Sequence, residues 1–96
     1  MSRTATSAVT TNPVSCLLID EHPAIIDAVS RALDGAGLRV VGTATSAAQG
    51  LEMLERRSAD VAVLDVRLPD MDGIELAQEI AKSPSPPRTL PVPRCP

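Results

Sequence analysis

Three acidic side chains stand where they could act together. Asp20 and Glu21 close an apolar run, CLLI, at residues 16–19, and Asp65 closes a second, DVAVL, at residues 60–64. A run that is apolar on both faces reads as a strand buried between helices, so each acid is delivered to a strand's C-terminal end. Open α/β sheets bind their ligands in the crevice outside those ends. Three like charges in one cleft repel, and a proton or a cation must join them. A donor set of carboxylates, a backbone carbonyl and water suits Mg²⁺ or Mn²⁺. Asp20-Glu21 alone reads more readily as a helix cap than as a site. Joined to Asp65-x-x-x-Pro69-x-x-x-Gly73 on a neighbouring strand, the pair reads as part of a site.

The segments between these acids must bring them together. Pro23 opens a helix where its missing N–H costs nothing; Ile25, Ile26, Val29, Ala32 and Leu33 follow at helical spacing, and Gly35 and Gly37 end it. Residues 38–44 (LRVVGTA) read as a second strand. Ser46-x-x-Gln49 is a capping-box signature. It starts a helix with Ala48, Leu51 and Leu54 on one face and a Glu52–Arg56 pair outside. After the third strand, the loop VRLPDMD leads to a helix capped by Asp72, with Ile74, Leu76, Ala77 and Ile80 facing inward and Ser83-Pro84 ending it. The order is β-α-β-α-β-α, which calls for a parallel sheet with right-handed crossovers. If the first strand is central, the first and third are neighbours and their acids converge.

LLIDEHP and VAVLDVRLPDMDG resemble the receiver domain of bacterial two-component response regulators, the CheY-like, flavodoxin-like fold. The resemblance covers residues 15–83, and the 2-1-3 strand order with helices on both faces is taken over from that family. It implies that Asp65 accepts a phosphoryl group from the phosphohistidine of a sensor histidine kinase. Asp20 and Glu21 match the acidic pair that holds Mg²⁺ (or Mn²⁺) together with Asp65; Glu in the second place adds one methylene. Arg67 matches the position whose backbone carbonyl completes the metal site, and Pro69 and Gly73 match the residues that shape the loop. The implied role is a cytoplasmic phosphoacceptor module in a phosphorelay, not an enzyme, with a kinase or another receiver as partner. His22, just before a helix-opening proline, reads as a loop residue.

Composition narrows the rest. The chain has 96 residues, 44% hydrophobic and 22% charged, with no Phe, Trp or Tyr and a net charge of -3. That size allows one small domain. No apolar run approaches the roughly 18 residues of a membrane span, and the start lacks a signal peptide's apolar stretch. Without aromatics there is no stacking platform for single-stranded nucleic acid, and the negative charge opposes binding DNA by charge alone. Cys16 and Cys95 are too few for a secreted disulfide scaffold.

Residues 1–14 read as a disordered N-terminal tail, and residues 15–83 as a partial receiver of three β-α units. Residues 84–96 hold six of the nine prolines and read as an extended or disordered tail, either out of frame or a natural proline-rich linker. On that reading the family's fourth strand, ending in Ser or Thr, and fifth, ending in Lys, are lacking. The third strand is then left with an open edge. The alternatives to a working receiver are a non-catalytic docking fragment and a non-functional truncated product.

Overall fold

The computed structural model describes residues 13–93. The two doubly apolar runs form the inner strands, β1 (Ser15–Ile19) and β3 (Val61–Asp65), paired in parallel with Cys16 opposite Val61 and Ile19 opposite Leu64. β2 (Arg39–Ala44) lies outside β1, and β4 (Arg88–Val92) lies outside β3, giving an all-parallel sheet of order β2-β1-β3-β4. The crossovers contain α1 (Pro23–Gly35), α2 (Ala47–Arg56) and α3 (Gly73–Ile80). The chain steps outward from β1 to β2, then back past β1 to β3 and β4. With right-handed crossovers, that reversal puts α1 on one face of the sheet and α2 and α3 on the other.

The expected boundary at residue 83 is corrected. RTLPV, placed in a disordered tail by its prolines, forms β4: the Arg88 N–H donates to the Asp60 carbonyl (3.0 Å), and Pro91 lies opposite Leu64. Proline fits because β4 is an edge strand. Alternation from Arg88 points the Pro91 nitrogen outward, where no ladder bond is needed. β3 is therefore paired on both sides and has no open edge. Residues 1–12 of the expected N-terminal tail, and residues 94–96 with Cys95, lie outside the described residues. Pro13 and Val14 are exposed, yet the Val14 carbonyl accepts the Arg39 N–H (2.9 Å) and begins the β1–β2 ladder.

The two faces of the sheet are unequally covered. Leu17, Ile19, Ala62 and Leu64 pack with Ala47 of α2 and with Leu76 and Ile80 of α3, and Leu51, Met53, Leu54 and Ala77 close the sides. α2 buries Ala47 and Gly50, one position off the expected Ala48, which is exposed. Ile74, expected to face inward, is 50% exposed on α3. On the opposite face Cys16 and Leu18 are buried, but α1 has no buried residue. Ile26, Val29 and Leu33 are only half-buried against the sheet.

Candidate functional site

The site lies where β1 and β3 end side by side. Register places Ile19 opposite Leu64, so Asp20 and Asp65 follow at adjacent strand ends. Asp65 is buried, with 4% of its surface exposed. Its Oδ1 accepts the Arg67 N–H at 3.0 Å, which orients the carboxylate across its own turn. Asp20 makes a similar local bond: its Oδ1 accepts the His22 N–H at 2.8 Å and lies 3.1 Å from His22 Nδ1. One ligand atom each from Asp20, His22 and Asp65 falls within 4.8 Å of the others. Glu21 is exposed and is not part of that group. His22 was missed by sequence reasoning, because a residue before a helix-opening proline carries no sign of where its ring points.

The loop after Asp65 is held at several points. Arg67 and Asp72 form an isolated antiparallel bridge, and the Asp72 carboxylate caps α3 by accepting the Ile74 N–H at 2.7 Å. Gly73 is buried against the strand end. A Cβ there would collide with the Asp65 carbonyl oxygen and approach Val66 Cα to 2.7 Å, so only glycine lets α3 start this close to Asp65. Pro69 is exposed within the loop.

Asp70 supplies a tie that no local pattern announces. Its two carboxylate oxygens accept the N–H groups of Ala47 (2.9 Å) and Ala48 (3.0 Å), capping α2 from 22 or 23 residues away. These bonds, that from Ala48 foremost, hold the Asp70 carboxyl below its ordinary range. Ser46 also caps α2, accepting the Gln49 N–H at 3.2 Å, while Gln49 Oε1 takes the Thr45 N–H at 2.8 Å. The reciprocal bond thus falls one residue before the position that the capping box calls for.

Beside the two aspartates a groove of about 270 Å³ opens under α1, lined by Leu18, Ile25, Ile26, Val29, Val63 and Val92. It is the uncovered part of the α1 face, and it reaches Asp20 and Asp65. Cys16, on the same face, is no rival nucleophile: burial, with the charge of Asp60 adding, pushes its thiol up. β4 ends beside the site, Val92 opposite Asp65, and neither Val92 nor Pro93 carries a hydroxyl.

As a donor set, two carboxylates from adjacent strands and an imidazole fit a small divalent cation held largely by oxygen. Among the described residues, no helix is long and apolar enough to cross a membrane.

Comparison with known proteins bears on the family and the fold. Residues 16–92 match the response regulator receiver domain family. NarL of Mycobacterium tuberculosis (strain H37Rv) is 40% identical over 72 residues, covering 74% of this chain and 33% of that protein. The transcriptional regulatory protein GlrR of Escherichia coli K12 is 39% identical over 70 residues, covering 73% of this chain and 16% of that protein. Among solved structures, the signal receiver domain of M. tuberculosis NarL superposes with a TM-score of 0.82 at 33% identity, covering 90% of this chain and 70% of that one. A CheY-like receiver domain from Methanospirillum hungatei gives 0.78 at 28% identity, covering 88% and 67%. The chain spans a third or less of the curated relatives it matches.

Proposed function

The chain belongs to the response regulator receiver domain family of phosphorelay signalling, and on that premise we propose that Asp65 is its phosphoacceptor. The single observation that carries the reading is the buried Asp65 carboxylate at the end of β3, turned by the Arg67 N–H and adjoining Asp20. The donor is a phosphohistidine of a sensor histidine kinase. An Asp65 carboxylate oxygen attacks phosphorus, forming the P–O bond of an acyl phosphate while the P–N bond to the donor imidazole breaks. Anchoring of Asp65 at Oδ1 holds the nucleophile in one orientation before the donor arrives, so less freedom is lost on reaction.

Asp20 and Asp65 would hold Mg²⁺ or Mn²⁺, with Glu21 and the Arg67 carbonyl as further oxygen donors; the ion would offset the charge between carboxylate and phosphoryl oxygens. Pro69 and Gly73 shape the loop that carries these groups, Gly73 by its contact with the Asp65 backbone. The chain works as a phosphoacceptor module, with a kinase or another receiver as its protein partner.

Acetyl phosphate with Mg²⁺, followed by intact mass measurement, tests the reading. The native chain should gain one phosphoryl group and Asp65→Ala none. An unchanged mass for the native chain, or equal gain in the variant, would refute it.

A further inference from the structure

The geometry points to His22 as a nitrogen ligand of the cation site, which makes the site receptive to borderline ions such as Zn²⁺ and Co²⁺ as well as to Mg²⁺. This rests on the reading above that Asp20 and Asp65 hold a divalent cation. The three side chains that the fold brings within 4.8 Å of one another are Asp20, His22 and Asp65, and Glu21 is not among them. A nitrogen among the donors makes a different site from one of oxygens alone. Imidazole suits Zn²⁺, Ni²⁺ and Cu²⁺, whereas Mg²⁺ takes oxygen.

The local backbone aims the ring. His22 is the N-cap of α1 in an extended conformation (φ -104, ψ 107), as the proline that follows it favours. It makes no side-chain cap bond to α1. Its backbone N–H is tied to Asp20 Oδ1, which folds the three-residue turn back on itself and leaves Nδ1 3.1 Å from the same oxygen. Cis donors on an octahedral ion with bonds of about 2.1 Å stand about 3 Å apart. The Asp20–His22 separation is that of one edge of such a coordination shell. The ring is about half exposed, at 49%, so an ion can reach it from solvent.

His22 is the chain's one histidine, so its ring nitrogens give unambiguous NMR signals in the untagged, ¹⁵N-labelled full chain. Zn²⁺ titration should move the resonance of one ring nitrogen saturably, and Co²⁺ should give contact-shifted ring protons. Mg²⁺ should compete with both. His22→Ala should weaken Zn²⁺ binding, measured calorimetrically, at least about tenfold while changing Mg²⁺ affinity less than about twofold. Asp65→Asn should weaken both ions. If Zn²⁺ and Co²⁺ bind, Asp65→Asn weakens them, and the ring signals stay in place, His22 is no ligand and the inference falls while the carboxylate site stands. If none of the three ions binds the native chain, the cation site itself falls, and this inference with it.

Discussion

Gly73→Ala separates packing at the site from helix propensity, because the two effects have opposite signs. At an ordinary helical position, glycine to alanine stabilises by about 1 kcal/mol. At Gly73 the new methyl would meet backbone on three sides: the Asp65 carbonyl oxygen, Val66 Cα at 2.7 Å and the Asp65 carbonyl carbon at 3.0 Å. Ordinary contact begins at 3.4 Å, and backbone cannot rotate away as a side chain can, so the start of α3 must retreat from β3. Overpacking of this kind costs about 1–3 kcal/mol. With backbone as the obstacle the upper half of that range applies, for a net loss of about 1–2 kcal/mol after the propensity gain.

Gly50→Ala is the matched control. The nearest atoms to its methyl belong to the Ile19 side chain and not to backbone, and a side-chain end yields more readily than a carbonyl, so Gly50→Ala should lose less than Gly73→Ala. Urea unfolding followed by circular dichroism measures both. A Gly73→Ala midpoint equal to or above that of the native chain would refute the claim that α3 is seated directly on the Asp65 backbone.

Two further outcomes follow from contacts elsewhere. Leu76 is fully buried between the sheet and α2, so Leu76→Ala should cost about 2–5 kcal/mol in the same assay. Asp70→Ala removes the long-range cap on α2 and should lower the urea midpoint at neutral pH. The Asp70 carboxyl is held below its ordinary value in the fold, so its contribution is complete above the unfolded-state value, about pH 4. It is lost as pH falls through the lower folded value. Native and variant midpoints should therefore converge in acid, and a gap that persists there would remove the capping carboxylate as its cause.

What was legible in the sequence was local or periodic. The apolar runs at β1 and β3, the Ser46 and Asp72 caps and the Glu52–Arg56 pair (3.4 Å) all stand close to where spacing puts them. β4 is hidden because proline reads as a breaker, although an edge strand tolerates it wherever the nitrogen faces out. RTLPV carries no apolar alternation that marks its buried side, since Leu90 and Val92 are exposed while Thr89 and Pro91 are half-buried. Asp70 could not have been found, since its partners are set by how a loop folds over a helix end. His22 was hidden for a similar reason: a ring's direction depends on a turn, and the turn is closed by Asp20.

The thin attachment of α1 has a consequence for how motion is distributed. Helices that bury little can open singly, without unfolding the remainder. The amides of α1 should therefore exchange with solvent deuterium through a lower-energy opening than those of β1, β3 and α3, where Ile19, Leu64, Leu76 and Ile80 are interlocked. His22 caps that loosely held helix and Pro23 begins it, whereas Asp65 ends β3 and Asp20 directly follows β1 in the firmly held sheet. Whatever joins His22 to the two aspartates also latches α1 to the sheet. The lifetime of one helix then becomes a readout of chemistry at the strand ends.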